Sequence, residues 1–258
     1  MISVKSAAQL DKMRAAGALL YDVLQRIREV IRPGETTAAI DAFAEEIIRR
    51  GGATPSFLHY RGYPASICAS VDDVVVHGIP TDREALCEGS ILSVDCGLVL
   101  DGWQADSAFT VGVGDVAPEL NRLIQVTERC FFEGARAARQ GQRVGDIGHA
   151  VQRLAEENGY GVIRDLTGHG IGRAMHEDPA VPNFGEPGRG ARLKAGMTLA
   201  VEPMISMGGW QVREEEDGWT IRTLDRSPCA HYEHTIALRA EGPPEILTLP
   251  GFVWEDGP

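Results

Sequence analysis

Apolar and polar residues near the start of the chain alternate with the period of a helix. The apolar positions recur every three or four residues, at Leu10, Met13, Gly17, Leu20, Leu24, Ile27 and Ile31. This spacing predicts an amphipathic helix over residues 6–31, which ends before Pro33. A second helix is predicted over residues 37–50, with Thr36 or Thr37 as its N-cap.

Strand signals follow these two helices. The content of β-branched residues rises over residues 66–76. Residues 91–98 and 104–113 are expected to form a hairpin, because an Asp101-Gly102 turn separates the two β-prone runs. The same order then returns, with helices predicted over 118–139 and 144–157 and strands near 163 and over 198–205, 219–223 and 234–238.

One sequence pattern occurs in both halves of the chain. The pattern Leu-x-x-Gly-x-x-Leu-x-Val-acid ends once at Asp95 and again at Glu202, 107 residues later. Chance alignment of two amphipathic helices is the alternative for the helical part, but the repeated strand with its terminal acid favours an internal duplication. We therefore expect an α/β (α+β) fold forming a single domain, 1–258, whose halves lie near 6–115 and 116–250 and share one sheet.

Composition narrows the class of protein. A chain of 258 residues with 43% apolar content can bury a large core, and it contains no apolar run of the roughly 18 residues that span a membrane. The N-terminus lacks the apolar region of a signal peptide, which favours a cytoplasmic protein. Five scattered cysteines without a C-x-x-C pair indicate neither a disulfide framework nor a zinc knuckle. A net charge of -12 disfavours nonspecific nucleic-acid binding and favours small molecules, peptides or cations.

Candidate chemistry concentrates on four acids and one histidine. Asp95 and Asp106 flank the predicted hairpin turn, and Asp95 lies in an apolar run where a buried charge needs a partner. Glycines surround His169, so a ligand could approach its imidazole closely. Glu202 and Glu233 each adjoin a β-prone run. Solvent-exposed acids and an incidental histidine are the simpler reading, but together the set suits paired Mn, Fe, Co or Zn ions and two-metal hydrolysis.

Several segments together resemble one enzyme family. They are Gly62-Tyr63-Pro64-Ala65-Ser66-Ile67-Cys68, Val76-His77-Gly78-Ile79-Pro80, Gly168-His169-Gly170-Ile171-Gly172, Glu202-Pro203-Met204 and Asp225-Arg226-Ser227 followed by Tyr232-Glu233-His234-Thr235. In order and spacing, over nearly the whole chain, they are similar to type I methionine aminopeptidases. The resemblance implies the duplicated pita-bread fold, a central antiparallel sheet flanked by helices. Because the chain starts directly on the catalytic region, the minimal bacterial form is expected.

The resemblance also implies roles for the five candidate ligands. Asp95 would bind one of two divalent ions (Co, Mn, Fe or Zn), and Asp106 and Glu233 would bridge both ions. His169 and Glu202 would complete the second ion's ligands. Some relatives also hold a monovalent cation with backbone carbonyls, and Asp72, Val74 and Cys229 occupy those positions here.

Three of the implied roles concern the reaction itself. His77 would lie near the amine end of the scissile bond, and His176 would lie near the scissile carbonyl, where a donor stabilises developing charge. Glu202 would carry a proton to the leaving amine. The reaction implied is removal of an initiator methionine ahead of a small second residue, by attack of a water that the two metal ions activate.

A substrate pocket is implied by six residues. They are Tyr60, Tyr63, Cys68, Met175, Trp219 and His176, with His77 at the edge, and a purely structural role in the core is the alternative for the apolar ones. Two positions depart from the family: Phe57 replaces a frequent cysteine, and Met175 replaces a usual phenylalanine. Methionine is adaptable, so we expect an altered pocket shape with an apolar character that is kept.

The expected partners are the N-termini of nascent polypeptides near the ribosome, with the enzyme a monomer that binds no membrane and no specific nucleic acid. Two rival functions share the fold. A proline-specific aminopeptidase or dipeptidase has the same ligands but usually a large preceding domain. A catalytically dead binding protein would have lost ligands, whereas all five are present here.

Overall fold

The computed structural model describes residues 2–255, so Met1 and residues 256–258 of the predicted domain lie outside the described range. The helices are α1 (Ala7–Val30), α2 (Thr37–Arg50), α3 (Pro118–Ala137) and α4 (Val144–Glu157), with a 3₁₀ turn at Tyr60–Gly62. The strands are β1 (Thr54–Pro55), β2 (Ile67–Val71), β3 (Val74–Val76), β4 (Ile91–Leu100), β5 (Trp103–Gly112), β6 (Gly161–Val162), β7 (Thr167–Gly170), β8 (Glu177–Pro182), β9 (Thr198–Val201), β10 (Met204–Ser206), β11 (Val212–Glu214), β12 (Ile221–Thr223), β13 (Cys229–His231), β14 (Glu233–Ala237) and β15 (Glu245–Ile246).

Local sequence determines the helix ends much as predicted. Ser6 caps α1 in a capping box with Gln9, and Thr36 caps α2 by accepting the backbone N–H of Ala39. These bonds satisfy donors that have no partner inside the helix. The four predicted helices are confirmed, although α3 ends two residues earlier than expected.

A nine-stranded antiparallel sheet forms the centre of the molecule. Its main path runs β1-β4-β5-β14-β9-β7-β8, while β2 pairs with β4 and β15 pairs with β14. At the middle, β14 pairs with β5 on one side and with β9 on the other, so strands from both halves of the chain form one continuous sheet. Two three-stranded sheets complete the β-structure of residues 2–255.

The predicted hairpin and one predicted strand show how turns and proline shape the sheet. Strands β4 and β5 meet at Asp101 and Gly102, which both have positive φ, as a two-residue hairpin turn of this hand requires. The strand predicted over 198–205 is wrong in one respect, because it divides into β9 and β10 at Glu202-Pro203. Proline lacks an N–H and therefore interrupts the ladder.

Strand alternation separates the core from the opposite face of the sheet. On β4, Leu92, Val94, Cys96 and Leu98 pack into a core with α1 and α2. On β9 and β14, Leu199, Val201 and Ile236 belong to a second core that includes residues of α3 and α4. Since successive side chains on a strand point to opposite faces, the residues between them project away from these cores. No helix among residues 2–255 has the length and apolar character needed to cross a membrane.

Candidate active site and metal centre

Five neighbouring strands contribute one candidate ligand each. Asp95 lies on β4, Asp106 on β5, Glu233 on β14, His169 on β7, and Glu202 directly follows β9. In the sheet these strands are consecutive, in the order β4-β5-β14-β9-β7. The structure thus brings together all five residues that the sequence singled out, on the face opposite the two helical cores.

The register of the central strands explains how the acids meet. Asp95 pairs with Ala108, and Ala108 pairs with Glu233 on its other side, so one small side chain separates these two acids along the sheet. Asp106 pairs with Gly97, which has no side chain to fill the space beside it. Asp95 and Asp106 are therefore diagonal neighbours on one face, a separation that side chains can span.

Three of the acids have buried oxygens that accept no hydrogen bond within the described part of the chain. They are Oδ1 of Asp95, Oδ1 of Asp106 and Oε1 of Glu233. Three potential ligand atoms, one each from Asp106, His169 and Glu233, all lie within 4.8 Å of one another. Buried carboxylate oxygens without partners are costly, and a cation is the partner that satisfies several at once. The residues present fit a divalent metal site of oxygen ligands with one nitrogen.

The histidine of this cluster is prepared for the same role. Nδ1 of His169 lies 2.9 Å from the carbonyl oxygen of Gly170, which can only accept, so Nδ1 carries the ring proton. Burial, together with the nearby His176, lowers the pKa of His169 to about 4 and keeps the ring neutral. The unprotonated Nε2 then faces Glu202 Oε1 at 3.6 Å and Asp106 Oδ2 at 4.0 Å. A nitrogen lone pair directed at carboxylates needs a cation between them.

Electrostatics in the cluster leads to the same conclusion. Burial first, then the neighbouring acids, raises the pKa values of Asp95, Glu202 and Glu233 well above their usual range. Burial raises the pKa of Asp106 to about 7. Four carboxylates this close cannot all ionise at neutral pH without positive charge, and residues 2–255 place no lysine or arginine in an ion pair with them.

A cavity of about 290 Å³ opens onto the four acids and His169. Six of the predicted substrate residues line it, namely Tyr60, Tyr63, Cys68, His77, His176 and Trp219, and Phe57 joins them. Tyr63 packs against the ring of Trp219 in an edge-on contact with 5.1 Å between centroids, and its hydroxyl is bonded to the backbone oxygens of Ile67 and Gly78. The aromatic wall is thereby fixed, and the cavity has an apolar side and an acidic side.

The two histidines predicted to act on substrate lie at different parts of this cavity. The ring of His176 is 4.2 Å from that of His169, and its Nδ1 is 2.9 Å from the Tyr60 hydroxyl. His77 lies near Trp219 with positive φ, an uncommon backbone for a residue other than glycine. Burial lowers the pKa of both histidines, so both rings are neutral at neutral pH.

Met175 lies next to the residues that line the cavity. It is 3% exposed and packs in a core cluster with Met13, Trp103, Ile171 and Leu247, beside Phe57. An added Cβ at Gly97 would lie 2.9 Å from the Met175 methyl group and 3.1 Å from Phe57, so both side chains pack against Gly97. Phe57 lines the cavity, and a role for Met175 in shaping the substrate pocket stays a prediction.

Sequence reasoning missed other residues of the cavity. They are Arg61, Val76, Asp165, Leu166, Thr167 and Met204. Each adjoins a segment already recognised, so direct adjacency to a motif was the available signal. His231 was also missed: it is buried on β13, its Nε2 has no partner among the described residues, and it lies 3.9 Å from Glu233 Oε2.

The backbone positions suggested for a monovalent cation are neighbours in the structure. The Asp72 carbonyl accepts the N–H of Cys229, and Val74 and Cys229 begin the strands β3 and β13. Asp72 also has positive φ. The cation itself stays a prediction.

Comparison with known proteins places the chain in an enzyme family. A model of metallopeptidase family M24 matches residues 11–240. A methionine aminopeptidase of Clostridium perfringens is 49% identical over 249 residues, which cover 96% of this chain and 99% of the relative. The crystal structure of methionine aminopeptidase from Rickettsia prowazekii superposes with a TM-score of 0.94 at 43% identity, covering 96% of this chain and all of that one.

A more distant similarity bears on the proline-specific alternative. An Xaa-Pro dipeptidase from Bacillus anthracis superposes with a TM-score of 0.77 at 21% identity, and the match covers 95% of this chain but only 62% of the dipeptidase. The two proteins therefore share the fold.

Proposed function

The chain belongs to metallopeptidase family M24, among its methionine aminopeptidases, and we propose that it removes the initiator methionine from nascent polypeptides. The observation that carries the proposal is the buried cluster of four acids and one neutral histidine, directly beside an aromatic cavity. An exopeptidase needs a pocket of limited depth, because such a pocket admits the terminal residue of a polypeptide and no further residues.

Asp95, Asp106, His169, Glu202 and Glu233 would hold two divalent ions, with Asp106 and Glu233 shared between them. Bound ions of this kind supply Lewis acidity and lower the pKa of water. The unpartnered oxygens of Asp95, Asp106 and Glu233 support the assignment. Co, Mn, Fe and Zn all suit the ligand set, since each of these ions accepts carboxylate and imidazole ligands.

The methionine side chain would occupy the aromatic side of the cavity. Phe57, Tyr63, Cys68 and Trp219 supply an apolar surface there. An unbranched thioether interacts well with aromatic ring edges. His77, adjacent to Trp219, would contact the amine end of the scissile bond.

His176 would donate a hydrogen bond to the scissile carbonyl oxygen. In this arrangement the Tyr60 hydroxyl, 2.9 Å away, would donate to Nδ1, and the ring proton would reside on Nε2. A neutral N–H group can stabilise the developing negative charge on the carbonyl oxygen by a hydrogen bond, without transferring its proton. The lowered pKa of His176, caused mainly by burial, keeps the ring in this neutral form.

Glu202 would take a proton from the attacking water and give it to the leaving amine. It lines the cavity together with the other acids and His176, which is where a group must lie to reach both the water and the leaving amine. Hydrolysis then releases methionine and a chain one residue shorter.

We further propose that a small second residue is preferred, because the cavity has a volume of only about 290 Å³, which the methionine side chain would share with the second residue. The substrates would be nascent chains near the ribosome, encountered in the cytoplasm by a monomeric enzyme. Gel filtration measures whether the enzyme is a monomer, and a ribosome pelleting assay measures whether it associates with ribosomes.

The decisive experiment compares substrates on metal-stripped and reconstituted protein. We expect Met-Ala-Ser to be cleaved after readdition of Co, Mn, Fe or Zn, and Xaa-Pro dipeptides to remain intact under the same conditions. Met-Trp-Ser serves as the control for the second residue and should be cleaved far more slowly. Release of proline, or full activity in chelator, would contradict the proposed function.

A further inference from the structure

An ion pair joins the N-terminal segment to the loop that carries His176. Lys5 Nζ lies 2.8 Å from Glu177 Oε2, although the two residues are 172 positions apart. The Lys5 side chain is 2% exposed and that of Glu177 is 17% exposed. A buried lysine without a partner is costly, so this contact has a fixed geometry that most surface ion pairs lack.

The second oxygen of Glu177 closes the loop itself. Oε1 accepts the backbone N–H groups of Arg173 and Ala174, at 2.9 and 3.3 Å. Burial alone would raise the pKa of Glu177, but the bonds from Lys5 and from these backbone groups lower it below its ordinary value. One ionised carboxylate thus receives bonds from both the loop and the N-terminal segment.

The packing around this carboxylate leaves no space for a side chain at Gly172. An added Cβ there would lie 2.6 Å from Glu177 Oε1 and 2.7 Å from Lys5 Cε. The Lys5 backbone is itself fixed, because its N–H donates to the Gly196 carbonyl at 2.7 Å. The N-terminal segment therefore fits against the loop closely.

His176 lies between two anchors of different kinds. Met175 on one side is buried in the core, and Glu177 on the other is held by Lys5. Other contacts act on the loop as well, since His176 Nδ1 lies 2.9 Å from the Tyr60 hydroxyl, the two rings stack, and the Arg173 guanidinium lies over the Trp103 ring. The Tyr60 contact acts on the His176 ring, whereas Met175 and Glu177 hold the backbone on either side of it.

We propose that Lys5 and Glu177 are positioning residues that set the place of the His176 ring at the scissile carbonyl. The inference rests on the substrate role of His176 proposed above. Displacement of a catalytic group by about 1 Å can cost up to roughly 10²-fold in rate. Loss of the ion pair between Lys5 and Glu177, with Met175 still in place, should therefore lower kcat on the order of 10-fold.

The test measures kcat and KM of the metal-loaded enzyme on Met-Ala-Ser for Lys5→Met and Glu177→Gln. We expect kcat to fall with little change in KM and in metal content, and Lys5→Arg to retain most of the activity. Arg14→Met is the matched control, because it removes another ion pair near the N-terminus, with Glu245 at 2.7 Å, that does not touch the loop. Wild-type-like kcat for Lys5→Met, equal to that of the control, would overturn the proposal.

A double variant separates positioning from general destabilisation. Added to His176→Ala, Lys5→Met should lower kcat no further, because the group that it positions is gone. If the double variant instead loses kcat by the product of the two single losses, the proposed positioning role of Lys5 is wrong. An unchanged kcat for His176→Ala alone would instead overturn the proposed role of His176, and hydrogen exchange at the Arg173 and Ala174 amides would then decide whether Lys5 still orders the loop.

Discussion

Carboxylates are buried in two regions of this protein, and they differ in what neutralises them. At the periphery, Asp73 bonds Arg222 and Arg226, and Glu245 bonds Arg14. In the central cavity, Asp95, Asp106, Glu202 and Glu233 have two neutral histidines, His169 and His231, beside them and no ion pair with a lysine or arginine among the described residues. The peripheral acids are neutralised by the fold, whereas the central acids depend on a cation that the chain does not supply.

The pKa directions express the same difference. A side-chain bond from Arg14 lowers the pKa of Glu245, whereas burial raises the pKa values of all four central acids. A fixed arginine stabilises the folded state directly. A cluster of acids without a neighbouring arginine lowers the stability of the metal-free protein, and metal binding then stabilises the folded state.

The largest effect is expected from removing a central acid that both ions would share. Asp106→Asn and Glu233→Gln should lower kcat/KM on Met-Ala-Ser by more than roughly 10²-fold, since even outer partners of metal ligands cost 10- to 100-fold. Metal bound per chain should fall for both ions, as measured by atomic emission after dialysis. Two bound ions and normal turnover in either variant would remove the distinction between the two regions.

Metal removal should reveal an unusual pH dependence of stability. A carboxyl whose folded pKa lies above its unfolded value stabilises the protein below the unfolded pKa, and that stability is lost as pH rises through the folded pKa. For Asp106 the window runs from about 4 to about 7. Metal-free protein should therefore melt several degrees lower at pH 7.5 than at pH 5.5, and added metal should reverse this and release protons. A melting temperature that rises over this pH range in chelator would contradict the argument.

Removing a peripheral acid should affect stability and leave the chemistry intact. Asp73→Asn weakens the hydrogen bond that Arg222 donates at 2.5 Å and removes the ion pair with Arg226 at 3.0 Å. We expect the free energy of unfolding to fall by about 1–3 kcal/mol. Metal content and kcat should match the unsubstituted enzyme, and a loss of metal here would show that the two regions are not independent.

The smallest effect is expected at Glu245, whose partner Arg14 is partly exposed. Glu245→Gln should cost less than about 1 kcal/mol of unfolding free energy at neutral pH. Because the folded pKa of Glu245 is lowered, its contribution exists above the unfolded pKa and disappears as pH falls through the folded value. The difference between urea titrations of the two proteins should shrink as pH falls below the unfolded pKa of a glutamate, about 4.3, and a difference that stays constant down to acid pH would mean that packing, not charge, accounts for the effect.

Local sequence determined the elements and the chemical candidates. Periodicity and caps located all four helices, and the Asp101-Gly102 turn predicted the hairpin that carries Asp95 and Asp106. These features depend on residues a few positions apart, which a sequence displays directly. The five candidate ligands were likewise visible, since each adjoins a β-prone run or a glycine cluster.

Only the tertiary structure decided which side chains reach the cavity and which support it. Met175 was expected at the pocket and packs in a core cluster beside Phe57, and His231, two positions before Glu233, was not recognised. The contact between Lys5 and Glu177 joins positions 172 residues apart. A sequence shows how residues alternate along one strand or helix, but the depth of a side chain and its distant partners follow from how those elements pack, and packing is set by the whole chain.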